Sequence, residues 1–246
     1  MAWGVAEGAR RLAGSVMAVT AALGSVPAAA DSALHERSPL SMVIFASLET
    51  DRSKSHGAVG FKRAFGQGGL DASGFRLGLK WGESIEPAEH SPARGRMVKT
   101  EAHAMLGYEW RIGDLFVALS AGPELEAVFS ETRNRTSFSE RIGGRLQFDL
   151  WATPLENLLL QANAYAATLD QRFWLRLSPG WKLAPDLYLG PEIEFYRQQD
   201  YHKLRFGLHL TGFRLFGLSW RIAAGAQQTS DQPNAAYATL GVHWKR

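Results

Sequence analysis

The sequence predicts an all-β protein that closes into an antiparallel barrel in a bacterial outer membrane. Three observations predict this fold: an amino-terminal secretory signal, apolar and polar residues that alternate along most of the chain, and strands long enough to cross a bilayer. A tilted barrel strand needs about 9–11 residues to cross the hydrocarbon. We expect a closed transmembrane β-barrel of about twelve strands, with ten or fourteen strands as the alternatives.

The first thirty residues have the layout of a signal peptide. Arg10 and Arg11 precede an uncharged, mostly apolar stretch over residues 12–26, and residues 28–30 are three alanines that suit a signal-peptidase site. A membrane anchor is the alternative, but this stretch is shorter than the roughly 20 residues that a bilayer helix needs. The expected organisation is a cleaved signal peptide over residues 1–30, a short segment over residues 31–40 and the barrel over residues 41–246.

Composition excludes several kinds of function. Lys and Arg number 27 against 24 Asp and Glu, so the net charge gives no field that favours nucleic acid. Cysteine is absent, which excludes disulfides, thiolate metal sites and a cysteine nucleophile. The seven histidines show no metal-binding spacing such as HExxH. We therefore expect no cofactor and no metal.

Strands follow from the period-two pattern. Over residues 75–81, Phe, Leu, Leu and Trp alternate with Arg, Gly and Lys, and residues 187–195, 204–210 and 236–244 alternate in the same way. The pattern predicts strands near residues 41–49, 57–65, 73–83, 98–112, 114–129, 138–153, 157–169, 172–183, 186–198, 201–213, 217–228 and 235–245.

The connections suit an outer-membrane barrel. Short turns near residues 112–114 and 184–186 alternate with longer polar connections over residues 84–96, 131–137 and 229–234. Outer-membrane barrels have short turns at one end and longer loops at the other.

Alternation alone does not say which face of the sheet is outside. A soluble, lipocalin-like barrel hides its apolar face, whereas a membrane barrel turns that face to lipid. The long strands favour the membrane barrel, as do aromatic residues near the ends of the apolar rows, such as Trp81, Trp110 and Trp244. We therefore expect an outer-membrane location and contact with lipid.

Two hairpins repeat one pattern. The sequence Gly-Pro-Glu-Leu-Glu at residues 122–126 is followed by Arg-Ile-Gly-Gly at residues 141–144, and Gly-Pro-Glu-Ile-Glu at residues 190–194 is followed by Arg-Phe-Gly-Leu at residues 205–208. This echo fits a barrel that grew by hairpin duplication, although a single echo does not make a repeat array.

These features resemble one protein family. The two Gly-Pro-Glu-x-Glu strands, the exported all-β layout and the run over residues 190–212, GPEIEFYRQQDYHKLRFGLHLTG, are similar to the cellulose biosynthesis protein BcsS family of proteobacteria. The resemblance covers residues 41–246 and is strongest over residues 105–126 and 186–226. It implies an outer-membrane accessory protein of cellulose production, with cellulose or its export machinery as partner and no defined catalytic residues.

If the polar face lines the lumen, acidic and basic strands are partly interleaved there, which favours cross-strand ion pairs. A structural role is the simpler interpretation of these charges. The alternative is a polar track that hydrogen-bonds sugar hydroxyls, with Trp174 or Tyr196 stacking on a sugar ring. The candidate ligand-binding residues are Glu124, Glu126, Arg145, Arg176, Glu192, Glu194, Arg205 and Arg221.

Three functions remain open. The first is a non-enzymatic barrel that supports cellulose biosynthesis, export or anchoring, and the second is a narrow diffusion channel for oligosaccharides or anions. The third is a barrel enzyme acting on lipid or glycan, for which the glutamate pairs or His103, His209 and His243 would supply the chemistry. No local motif supports an enzyme, so we expect no catalytic residues. A twelve-strand lumen is also narrow for a glucan chain, which argues against the main export conduit.

Overall fold

The computed structural model describes residues 40–52, 54–87, 96–132, 135–231 and 233–246. The predicted signal peptide lies outside the described residues, as does the predicted segment 31–40 except for Leu40. Within the described ranges there are thirteen β-strands and two short 3-10 helices: β1 Met42–Asp51, β2 Ser55–Ala64, η1 Gly69–Asp71, β3 Gly74–Pro87, β4 Arg96–Ile112, β5 Leu115–Thr132, β6 Arg135–Leu155, β7 Leu158–Ala167, η2 Leu169–Gln171, β8 Arg172–Leu177, β9 Gly180–Ala184, β10 Leu187–Gln198, β11 Tyr201–Leu215, β12 Leu218–Thr229 and β13 Ala235–Lys245.

The sheet closes on itself. Strand β1 pairs antiparallel with β13, from Val43 opposite Lys245 to Asp51 opposite Tyr237, and the other strands pair antiparallel with their neighbours around the ring. Closure leaves the sheet without an unpaired edge, as a barrel that crosses a membrane requires. None of the described residues forms a helix long and apolar enough to span a bilayer.

Strands β8 and β9 share one position in the barrel. Both pair with β7 on one side and with β10 on the other. The sequence pattern predicts one strand over residues 172–183, and the structure interrupts it at Ser178 and Pro179. Proline has no N–H to donate to the ladder and is found in sheets at edges and irregularities. The thirteen described strands therefore occupy twelve positions, which confirms the predicted number.

The barrel is apolar outside and polar inside. On β11, Phe206 and Leu208 are 55% and 60% exposed, whereas the neighbouring Arg205 and His209 are 0% and 1% exposed. A soluble barrel would bury the leucine and phenylalanine and expose the arginine. The observed distribution of exposed apolar and buried polar side chains is that of a membrane barrel, whose apolar band faces lipid and whose lumen is polar. The predicted transmembrane fold is confirmed.

Four tight connections lie at the end of the barrel where β1 begins and β13 ends, named here the turn end. Its two-residue turns lie at residues 113–114, 156–157, 185–186 and 216–217. Gly113 and Gly217 have φ values of 57° and 74°, a left-handed conformation that glycine adopts without strain and that two-residue hairpins use.

One predicted long connection is wrong. The expected loop over residues 131–137 is largely strand, because β5 continues to Thr132 and the ladder still pairs Glu131 with Thr136. The polar composition of this stretch suggested a loop. In a barrel, however, polar residues continue a strand readily once it rises beyond the lipid.

Candidate functional site in the barrel lumen

The eight predicted site residues face the lumen. Alternation along β5 and β10 places two glutamates of each strand inside, and the next strand supplies arginines opposite or near them. Six of the eight side chains are buried, whereas Arg176 and Arg221 are half-buried. The polar face that the sequence predicts is therefore the lumenal wall. Whether these residues bind a ligand stays a prediction.

The largest group of charges is named here the Arg172 cluster. The Arg172 guanidinium lies 2.7 Å from a Glu101 carboxylate oxygen and 3.0 Å from one of Glu126. Glu101 is on β4 and Arg172 on β8, four positions away around the barrel, so this pair crosses the lumen. The cluster comprises Lys99, Glu101, Glu124, Glu126, Arg141, Arg145, Asp170 and Arg172.

A second group, the Arg205 cluster, joins β10, β11 and β1. Arg205 donates to Glu49 at 2.7 Å, to Glu194 at 3.1 Å and to the side-chain oxygen of Gln227 at 3.0 Å. Lys203 lies 3.4 Å from Glu49 and 3.8 Å from Glu194. Asp51 completes the cluster at 3.5 Å from Arg205. Since β11 and β1 are three positions apart, this cluster also reaches across the interior.

A third group, the Glu192 cluster, joins β10, β12 and β13. Ser178 donates to Glu192 at 2.9 Å, and the Tyr237 hydroxyl lies 3.4 Å from the other oxygen of the same carboxylate. Arg221 pairs with Glu192 and lies 3.3 Å from the Ser178 hydroxyl. Charge-assisted contacts of this kind are the stronger hydrogen bonds of proteins.

The repeated hairpins have the same register. Glu126 lies opposite Arg141 and Glu194 opposite Arg205, and each of these glutamates contacts the arginine that it faces. Two residues earlier, Glu124 faces Gly143, as Glu192 faces Gly207. The sequence echo is therefore a structural equivalence, because each hairpin pairs its second glutamate with the arginine that begins the repeated motif of the return strand, Arg141 in one hairpin and Arg205 in the other.

A fourth group of charges lies nearer the turn end, where the lumen retains a cavity of about 100 Å³. Glu109 lies 3.3 Å from Arg76, 3.3 Å from Arg111 and 3.6 Å from Lys62. The residues that line the cavity include Lys62, Arg76, Lys80, His103, Ser120, Gln147 and Asp149.

Comparison with known proteins identifies the family. The family model of the cellulose biosynthesis protein BcsS matches residues 43–246, most of the chain. The chain belongs to the BcsS family. No curated protein matches the sequence.

Several solved barrels are similar to this BcsS-family protein. The KdgM porin is 12% identical, with 82% of this chain and 98% of that chain covered and a TM-score of 0.45. The translocator domain of the autotransporter NalP from Neisseria meningitidis is 13% identical, with 98% and 97% covered and a TM-score of 0.49. The deltaS2S3 mutant of the monoaromatic hydrocarbon channel TodX is 9% identical, with 83% and 89% covered and a TM-score of 0.49.

The aromatic candidates and His209 of the BcsS-family barrel already have protein contacts. Trp174 stacks on Tyr165 with ring centroids 5.6 Å apart, and the Tyr196 hydroxyl donates to Gln198 at 2.5 Å. His209 places its two ring nitrogens 2.9 Å from the Pro179 carbonyl oxygen and 2.9 Å from the Thr211 hydroxyl. Stacking of Trp174 or Tyr196 on a sugar stays a prediction. Among the described residues, no three His, Asp or Glu side chains form a group arranged to hold a metal ion.

Sequence reasoning missed several lumenal residues on the first four strands. Glu49, Glu101 and Glu109 each contact a lumenal arginine, yet none was a candidate. The signal that identifies them is the same alternation, since Glu49 shares its face of β1 with Asp51, and Glu101 and Glu109 share theirs on β4 with His103.

Proposed function

We propose that this BcsS-family barrel is a non-enzymatic outer-membrane protein that supports cellulose biosynthesis as an anchor or accessory of export, and that the glucan does not pass through its lumen. The observation that carries this proposal is the set of ion pairs across the interior. Arg172 and Arg205, which are 2% and 0% exposed, tie strands that are three or four positions apart. Breaking a buried pair by removing one partner costs about 3–5 kcal/mol, so these contacts resist opening.

The cavity described near the turn end supports the same proposal. Its volume of about 100 Å³ has room for a few water molecules. A glucan chain needs a continuous passage as wide as a sugar ring. Cellulose or its export machinery would then bind at the outer surface or rim of the barrel, and the apolar outer wall would hold the protein in the outer membrane.

The state of the glutamates supports a non-enzymatic role. A glycosidase needs one carboxylic acid that gives up a proton and one carboxylate that reaches a water or the sugar. Glu124 and Glu126 are paired with Arg145 and Arg141, and Glu192 is paired with Arg221. Because guanidinium groups neutralise these carboxylates, a structural role of the glutamates is favoured over a catalytic one.

The test is the cellulose made by the bacterium that carries this gene, by a strain lacking the gene, and by that strain complemented with the gene or with an empty vector. Acid-resistant glucose is measured separately in washed cells and in the medium. Loss of an anchor moves cellulose from the cells to the medium at constant total, whereas loss of an export accessory lowers the total. Complementation with the gene restores the original distribution.

Unchanged amount and unchanged distribution of cellulose in the strain lacking the gene would contradict the proposal. The narrow diffusion channel would then be the leading function, and the surplus of basic side chains around the cavity favours anions as its solutes.

A further inference from the structure

The balance of charge differs between the lumenal groups. The Arg172 cluster contains four basic and four acidic side chains, and the Glu192 cluster contains one of each. The Arg205 cluster contains two basic and three acidic side chains. Around the cavity the balance reverses: Lys62, Arg76, Lys80 and Asp149 line it, and Glu109 and Arg111 join them through ion pairs, which gives four cations and two carboxylates. This cavity group comprises Lys62, Arg76, Lys80, Arg111, Glu109 and Asp149.

The two carboxylates of the cavity group are already engaged. Glu109 is shared by Lys62, Arg76 and Arg111, and so it neutralises one of three positive charges. Asp149 accepts hydrogen bonds from the side-chain amides of Gln147 at 2.9 Å and Asn163 at 2.8 Å. Neither carboxylate is within ion-pair distance of Lys80.

Among the cations of the cavity group, Lys80 has no ion pair in the described part of the chain. It lines the cavity, and it has no hydrogen bond or ion pair with any described residue. The positive charges of Arg145 and Arg176 oppose the charge of Lys80, whereas the carboxylates of Glu101 and Glu49 favour it without reaching ion-pair distance. Its neighbour across the ladder on β4 is His103. The Nε atom of Arg76 is also buried without a hydrogen-bond partner in the described part of the chain. Lys80 is half-buried, and a charge removed from water without an ion pair is costly, so an anion in the cavity would stabilise this arrangement.

We propose that the cavity binds one small oxyanion, of the size of phosphate, sulfate or a carboxylate group. The Lys80 ammonium and the free Nε–H of Arg76 are donors with no protein acceptor, and the Ser120 hydroxyl lies on the same wall. The volume suits an ion of a few heavy atoms and excludes a sugar chain. This inference depends on the barrel and its charges, and it stands apart from the role in cellulose production.

The test is isothermal titration of the purified full-length barrel in detergent micelles with inorganic phosphate and, separately, with sulfate. Sodium chloride keeps the ionic strength constant, because general screening by salt would otherwise mask a specific site. We expect saturable binding of at least one oxyanion at one site per chain. Absence of saturable binding to the wild-type barrel would overturn the proposal.

Two substitutions with opposite expected effects identify the site. Lys80→Met keeps a long side chain without the charge and is expected to weaken binding at least about tenfold, the usual scale for a hydrogen bond to a charged group. Asp149→Asn removes a competing negative charge and is expected to tighten binding severalfold. Lys182→Met, at an exposed lysine of β9, is the matched control and leaves the affinity unchanged.

Equal affinity in the Lys80→Met and wild-type barrels would contradict the assignment of the site. If Lys80→Met does not fold, Asp149→Asn decides, and an unchanged or weaker affinity in that variant would overturn the proposal. A general loss of stability lowers the affinity of both variants and does not produce opposite changes.

Discussion

At the scale of single residues, the lumen is organised by arginines that each contact several carboxylates. Arg205 has no exposed surface and contacts Glu49, Glu194 and Asp51. Removing this side chain leaves buried carboxylates without their main partner, and Lys203 alone remains near two of them. Arg214 offers a contrast, because its pair with Asp186 at a turn is 72% and 66% exposed.

We therefore expect Arg205→Leu to lower the free energy of unfolding by about 3–5 kcal/mol, the usual cost of breaking a buried ion pair. Arg214→Leu is expected to change it by less than about 1 kcal/mol, since exposed pairs contribute little. The measurement is equilibrium unfolding by urea of the barrel folded in phospholipid vesicles. Adding Glu194→Gln to Arg205→Leu restores part of the loss. Equal effects of Arg205→Leu and Arg214→Leu would show that the Arg205 cluster does not stabilise the barrel.

The sequence predicts the face of a residue better than its partners. The period of two assigned Arg205 and Glu194 to one wall, and the interleaving of acidic and basic strands favoured ion pairs between strands such as the one that these two residues form. The sequence did not indicate the contact between Arg172 and Glu101. These residues are 71 residues apart along the chain and lie on strands four positions apart around the barrel. Such a contact depends on strand number and stagger, which fix the strands that face each other across the lumen. Alternation along one strand carries no information about either.

At the scale of elements, the two repeated hairpins depend on close backbone contacts. A Cβ atom at Gly122 would overlap the carbonyl oxygen of Ala104, and one at Gly190 would overlap the carbonyl oxygen of Pro179. Both glycines begin a Gly-Pro-Glu motif. Gly122 lies beside the continuous strand β4, whereas Gly190 lies beside the break between β8 and β9. Glycine at these positions lets the backbones approach and leaves the following glutamates directed into the lumen.

Gly190→Ala is therefore expected to lower the free energy of unfolding by about 1–3 kcal/mol, because the added methyl group forces the backbones apart. Gly78→Ala is the matched control on another lumenal strand position, where the nearest atom to an added Cβ is 3.8 Å away, and it is expected to be close to neutral. The fraction of unheated protein that migrates as a folded band in a detergent gel, with urea unfolding, measures both. A neutral Gly190→Ala would contradict the close-contact explanation of the motif.

Element bounds were less predictable than element number. Eleven of the twelve predicted strands correspond to single strands of the described structure, and the twelfth is divided at Ser178 and Pro179. The sequence pattern passes over this break, because the alternation continues through it from Arg176 to Gly180. The β5–β6 hairpin was predicted too short for the opposite reason: its outer part is polar on both faces, so alternation fades while the ladder continues.

At the scale of the whole molecule, the arrangement of charges bears on whether the barrel conducts. Ion pairs across the lumen join β8 to β4 and β11 to β1, so two separate contacts cross the interior of the barrel. A barrel filled in this way resists the passage of ions, whereas an open porin has a water-filled path. The Arg172–Glu101 pair is a useful one to remove, because the other carboxylates near it keep partners: Glu126 retains Lys99, and Glu124 retains Arg145.

We expect the wild-type protein in a planar lipid bilayer to show no steady ohmic current. Replacing both members of the crossing pair, Arg172→Ser with Glu101→Ser, widens the lumen without leaving an unpaired charge from that pair, and steady current is expected to appear. The exposed pair supplies the control, since Arg214→Ser with Asp186→Asn alters charges at a turn and leaves the lumen closed. Steady current through the wild-type barrel would overturn the closed scaffold and favour the diffusion channel. Absence of current through the folded Arg172→Ser, Glu101→Ser barrel would mean that the Arg205 and Glu192 clusters close the lumen without the Arg172–Glu101 pair.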